Sequence, residues 1–195
     1  MHLVIIKYNA GNVQSVMYAL ERLNVPYTLT DDENTIRNAD KVIFPGVGEA
    51  SSTMAYLKER GLDCLIPSLE QPVLGVCLGM QLMCRYSEER DTDCLGIFDH
   101  EVKKFPDSSL KVPHMGWNAL KNTDSPLLED IGELPYVYFV HSYYVEEGPF
   151  TISSCDYGIP FSAAMQKNNF YATQFHPEKS GKLGAQILKN FIEKV

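Results

Sequence analysis

The chain opens on an unbroken apolar stretch inside "HLVIIKY", and after "NAGN" the apolar positions change spacing to Val13, Val16, Met17, Leu20 and Leu23. A short β-branched run closed by a turn predicts a buried strand, and recurrence every three or four residues predicts a helix with one apolar face. The alternation then returns. "KVIFPGVGEA" predicts a strand broken by Pro45, Gly46 and Gly48, with helical "ASSTMAYLKERG" after it and Gly61 as its stop. "PVLGV" leads in turn to Leu78, Gln81, Leu82 and Arg85 at helical spacing. Strands that alternate with helices need crossover connections, so they imply a largely parallel sheet covered on both faces.

After about Cys94 the pattern changes. "YVYFVHSYYVE", "FTISSCDY", "FSAAMQ" and "FYATQF" are strand-like runs separated by short turns, and "KNN" between the last two predicts a hairpin. The closing "GKLGAQILKNFIEKV" sets Leu183, Ile187, Leu188, Phe191 and Ile192 on one helical stripe, which predicts a last helix packed back on the sheet. The expected fold is α/β over residues 1–195 as one domain. It has a largely parallel central sheet flanked by helices, with additional antiparallel strands in the C-terminal half.

Composition narrows the function. A formal charge of -8 without clustered Lys or Arg argues against a nucleic-acid partner. No run approaches the ~18 apolar residues of a membrane span, and the start reads as a strand and not as a signal peptide, so a soluble cytoplasmic protein is expected. The five cysteines are odd in number and contain no C-x-x-C pair, which favours reduced thiols over disulfides or zinc. No metal or cofactor is expected.

One cysteine stands apart from the others. Cys77 sits where "PVLGV" becomes a helix, and Gly75-x-Cys77-x-Gly79 is the thiol version of the nucleophile elbow, in which glycines let a cramped turn hold the nucleophile out from the sheet. Unpaired amides and the positive end of the helix favour a thiolate there, and the Leu78 amide would face a developing oxyanion. Such a nucleophile needs a base. Of the five histidines, His176 is followed two residues later by Glu178 across Pro177, so the carboxylate falls on the same side and can orient the imidazole. His141, within "FVHSYY", is the rival base, but it lacks a nearby acid and reads as structural or substrate-adjacent. In "FPGVGEA" the glycines permit close approach of backbone, so Val47 or Gly48 could complete an oxyanion hole with Leu78.

Taken in order, "PGVG", "GVCLGMQLM" and "QFHPEKS" resemble the class I glutamine amidotransferases, a flavodoxin-like family with a Cys, His, Glu triad. "KVPHMGWNAL" and "YFVHSYY" are similar to the branch formed by glutaminase subunits of imidazole glycerol phosphate synthases. The resemblance extends over essentially the whole chain. It implies that Cys77 attacks the side-chain amide of glutamine, and that Gly48, Gln81, Ser142 and Tyr143 hold the amino acid. It further implies a heterodimer with a (β/α)8-barrel cyclase that receives the ammonia, with Asn12, Trp117, Tyr138 and Lys179 at the contact. On hydropathy alone Trp117 reads as core, and the resemblance reverses that. Two alternatives share these residues: a glutaminase supplying a different synthase, and a non-enzymatic binding module on the same fold. The presence of all three triad residues speaks against the second. Many members carry acidic-Tyr-Gly where this chain has Lys7, Tyr8 and Asn9, which leaves the triad untouched and bears only on the partner contact.

Overall fold

In the computed structural model, which describes residues 1–8, 13–106, 110–121 and 125–195, the first half of the chain alternates as the apolar pattern requires. It runs β1 (Leu3–Ile6), α1 (Val13–Arg22), β2 (Tyr27–Thr30), α2 (Glu33–Arg37), β3 (Lys41–Phe44), α3 (Ala50–Glu59), a short α4 (Leu62–Leu65), β4 (Val73–Val76) and α5 (Leu78–Met83). The second half adds β5 (Tyr86–Ser87), β6 (Thr92–Asp93), β7 (Glu101–Lys104), β8 (His114–Ala119), β9 (Tyr136–His141), β10 (Tyr143–Val145), β11 (Thr151–Asp156), β12 (Pro160–Lys167), β13 (Phe170–Thr173) and α6 (Gly181–Glu193).

The seven-stranded main sheet has the order β11-β12-β13-β4-β3-β1-β2. Its pairs from β2 to β13 are parallel, and β12 and β11 extend that edge antiparallel. Every residue of β1 and β4 is buried, because helices cover both faces and leave no polar side. Alternate residues feed two cores: Val4 and Ile6 join Phe44, Leu57 and Met80, whereas Leu3 and Ile5 join Leu74, Phe175 and Ile187. The edge strand β2, "YTLT", is half-buried throughout and too polar for the apolar pattern to mark it. Gly61 takes φ 67° directly after the end of α3, and α6 buries Ile187, Leu188 and Phe191. Asn168, at φ 54°, turns the hairpin between β12 and β13. Among the described residues, no helix is long and apolar enough to cross a membrane.

Two elements differ from the sequence reading. Helix α5 has only six residues, so Arg85 lies outside it. The amides of Leu95, Phe98 and Gly96 take the carbonyls of Leu82, Met83 and Cys84, which satisfies the helix end with a neighbouring loop and stops it there. The single run "YVYFVHSYYVE" is split at Ser142. β9 pairs with β8 as a separate two-stranded ribbon, while β10 joins β7 in a four-stranded sheet of order β10-β7-β5-β6. The Ser142 carbonyl accepts from Phe105 N–H at 3.1 Å, which anchors the break.

Candidate active site

β4 delivers Cys77 at its carboxyl end in a turn of φ 53°, ψ -106°. A non-glycine residue holds such a conformation at a cost of about 1–3 kcal/mol, so the surroundings must impose it. The packing shows how. A Cβ on Gly79 would stand 2.1 Å from the Phe44 carbonyl oxygen, and one on Gly75 would stand 2.8 Å from Met83 Sδ. The end of β3 therefore presses on the first turn of α5, and only glycine leaves room for it. Cys77 N–H donates to the Thr173 carbonyl at 2.7 Å, which ties the elbow to β13.

That neighbour brings the imidazole. β13 lies parallel to β4 with Thr173 opposite Val76, so the chain after it carries His176 to the same carboxyl end of the sheet, where ligands of parallel sheets bind. His176 Nδ1 is 2.7 Å from Glu178 Oε1, with side-chain exposures of only 1% and 2%. Nδ1–H donates to the carboxylate, and among the described residues no hydrogen bond satisfies Nε2. Burial alone would depress the imidazole, but the charge of the adjacent Cys77 sulfur and the Glu178 carboxylate outweigh it and hold its pKa up at about 10. Sulfur, imidazole and carboxylate thus converge. Ser180, which the sequence reading passed over, fastens the segment: its hydroxyl donates to the His176 carbonyl at 2.7 Å and accepts from Tyr138 N–H at 2.9 Å.

A cleft of about 340 Å³ opens at Cys77, and Gly48, Gln81, Ser142 and Tyr143 all line it, with Val47 and Leu78 beside them. His141 lines it too, but both its nitrogens are engaged. Nδ1–H donates to the Tyr143 carbonyl at 2.7 Å, and Nε2 meets His114 Nδ1 at 2.9 Å. Burial pushes its pKa down to about 3, so it is neutral and structural. Glu89 also lines the cleft. It lies in the charged run "SEERD", which looks like solvated surface in sequence; in the fold its Oε2 accepts from Ala50 N–H at 2.8 Å, and burial raises its pKa. Among the described residues no cluster of His, Cys, Asp or Glu could hold a metal ion.

The Leu78 amide is occupied. It donates to the Gly46 carbonyl at 3.3 Å, and the Tyr8 hydroxyl donates to the Pro45 carbonyl and seats the same loop. On the ribbon, Trp117 and Tyr138 face each other with ring centroids 6.1 Å apart. Trp117 is 55% exposed, so the hydropathy reading of a core residue fails: with only two strands, one face of the ribbon is left uncovered by the described residues. The register puts Met115, Trp117, Tyr138 and Tyr136 on that face, and Lys179 is exposed. Asn12 lies outside the described residues.

The family described as glutamine amidotransferase class-I matches residues 4–195. A Bacteroides fragilis (strain YCH46) protein named imidazole glycerol phosphate synthase subunit HisH is 58% identical over 99% of this chain and 100% of its own. A Pasteurella multocida (strain Pm70) protein of the same name is 49% identical over 100% and 98%. Among solved structures, a putative GMP synthase protein from Thermoplasma acidophilum matches with TM-score 0.75 at 21% identity, covering 98% of this chain and 92% of that one. A structure described as a glutamine amidotransferase matches with TM-score 0.76 at 16% identity, covering 97% of each. At these identities the solved structures establish the fold alone.

Proposed function

The chain belongs to the class-I glutamine amidotransferases, and from that premise we propose that it is the glutaminase subunit of an imidazole glycerol phosphate synthase, with residues 1–195 as one amidotransferase domain. The reading rests on one observation: a cysteine held at positive φ at the carboxyl end of the central strand, beside a buried imidazole whose far nitrogen is taken by a carboxylate.

The Cys77 thiol proton passes to His176 Nε2, Sγ attacks the side-chain amide carbon of glutamine, and the carbonyl opens to an oxyanion. His176 passes its Nε2 proton to the departing nitrogen, the C–N bond breaks, and ammonia leaves a thioester behind. Water then adds while giving a proton to His176, and breakage of the C–S bond releases glutamate and returns the sulfur. Glu178 keeps Nδ1–H turned away, so Nε2 performs both transfers. Backbone at Gly48, Ser142 and Tyr143 and the Gln81 side chain hold the amino acid, and the Glu89 carboxylate receives its α-ammonium group.

Leu78 N–H with Val47 or Gly48 N–H forms the oxyanion hole. While Gly46 C=O sits on Leu78 N–H, the hole lacks its donor. Rotating the Gly46–Val47 peptide removes that carbonyl and turns Val47 N–H inward, because the two groups point to opposite sides of one planar unit. One missing donor costs about 100 to 1000-fold in turnover, so the isolated glutaminase is slow and activation consists of turning this loop.

Ammonia loses its nucleophilicity on protonation in water, and direct delivery avoids that. The acceptor is a (β/α)8-barrel cyclase bound as a heterodimer to the apolar ribbon face of Trp117 and Tyr138, with Lys179 and, by the family resemblance, Asn12 contributing to the contact, in a cytoplasmic step of histidine biosynthesis. The joint products are imidazole glycerol phosphate and aminoimidazole carboxamide ribotide. Movement of the ribbon reaches the base directly, since Tyr138 O accepts from His176 N–H at 2.9 Å and Ser180 bridges the same two residues. The test is glutamine-dependent product formation by the co-purified complex, with Cys77→Ala as control. Equal rates in the two would end the catalytic assignment.

A further inference from the structure

A line of side-chain amides ends on the sulfur. Gln174 is fully buried, and its Nε2 lies 3.7 Å from Cys77 Sγ. Its Oε1 accepts from Gln81 Nε2 at 3.0 Å, and Gln81 Nε2 also donates to the Tyr143 main-chain carbonyl at 3.1 Å. The direction of this line follows from its far end. A carbonyl can only accept, so Gln81 must turn its NH₂ toward Tyr143; the same NH₂ then requires an acceptor from Gln174. Gln174 is left with its own NH₂ facing the sulfur. His141, which donates to the same Tyr143 carbonyl at 2.7 Å, holds that anchor in place.

We propose that Gln174 is a further catalytic residue, which donates a hydrogen bond to the Cys77 sulfur and thereby favours and aims the thiolate, while Gln81 is the positioning residue that sets which end of Gln174 faces the sulfur. The inference rests on Cys77 being the nucleophile. Donors to a charged acceptor are stronger than donors to a neutral one, so the contact favours the thiolate over the thiol. It also joins the substrate cleft to the nucleophile. A glutamine that engages Gln81 pulls on the amide that governs the sulfur.

Alkylation by iodoacetamide reads the thiolate without glutamine or a partner. A Cys64→Ser background removes the exposed thiol. The titratable groups facing the sulfur are His176 with Glu178 behind it, Tyr8, and across the cleft His141 and Glu89, and all stay in every variant. Gln174→Met keeps the volume and removes the donor; the curve of Cys77 alkylation rate against pH is expected to move up by about one unit, which slows the reaction about tenfold on the acid side of its midpoint. Gln81→Met keeps the donor and loses its orientation, for about a threefold effect, and the double variant is no slower than Gln174→Met. A Gln174→Met curve that superposes on the parent overturns the proposal. If circular dichroism shows that variant unfolded, an unchanged Gln81→Met curve overturns it equally. A parent Cys77 no faster than free cysteine refutes instead the reading of an activated nucleophile.

Discussion

Replacing Gly79 by alanine sets two effects of known size against each other. In an ordinary helix interior the change gains about 1 kcal/mol of helix propensity. Here the new Cβ would stand 2.1 Å from the Phe44 carbonyl oxygen and 3.2 Å from its carbon, both main-chain atoms that cannot swing aside. Relief requires β3 and α5 to part by about 1 Å, and overpacking of this kind typically costs about 1–3 kcal/mol. The clash exceeds the propensity gain, so a net loss of about 1 kcal/mol is expected, or about 2–4 °C in melting temperature for a chain of this size. Catalysis suffers more. The first turn of α5 carries Cys77 and the Leu78 amide, and misplacing reacting groups by about 1 Å costs on the order of 100-fold. Glutamine turnover by the complex is therefore expected to fall about 100-fold while circular dichroism and binding of the partner persist. Gly61→Ala is the control: φ is 67° with nothing within 4 Å of the new Cβ, so it costs about 1–2 kcal/mol of strain and leaves turnover alone. A stable Gly79→Ala enzyme with turnover within about threefold of the parent would refute the argument that backbone contact between β3 and α5 shapes the elbow.

Trp117→Ala should weaken association with the cyclase by at least 1–2 kcal/mol, roughly 5 to 30-fold in Kd, and leave the melting temperature in place because the ring is exposed; unchanged affinity in a titration removes it from the interface. Glu89→Gln retains an acceptor for Ala50 N–H and loses the charge facing the α-ammonium group, so KM for glutamine should rise about 10 to 100-fold with kcat little changed. An unaltered KM removes Glu89 from the substrate site. Stability in acid should depend on His141, whose folded pKa of about 3 lies below its unfolded value. The unfolded chain then binds the extra proton, so this contribution is complete above about pH 6.5 and is lost as pH falls, at up to about 1.4 kcal/mol per pH unit. Urea midpoints between pH 7 and 5 should slope less in His141→Gln, and parallel curves for parent and variant contradict the assignment.

Local order was written in the chain because it depends on near neighbours. The apolar spacing determined β1 with α1, β3 with α3 and the final helix, and the glycines around Cys77 marked a turn that few other residues could make. The two-residue step from His176 to Glu178 was equally local, and the 2.7 Å contact between them follows from it. What lay beyond local reading were the consequences of strand order and burial. Cys77 and His176 meet because β4 and β13 are neighbours in the sheet, a pairing decided by which crossovers bury both faces. Ser142 breaks a run whose hydropathy is continuous, since the strands on either side find different partners. Glu89 looks like surface charge until β5 and β6 turn it toward the cleft, and Trp117 looks like core until a ribbon of only two strands leaves it uncovered. Apolar periodicity tells a residue which side of its own element faces inward, and only the packing of distant elements decides what that side meets.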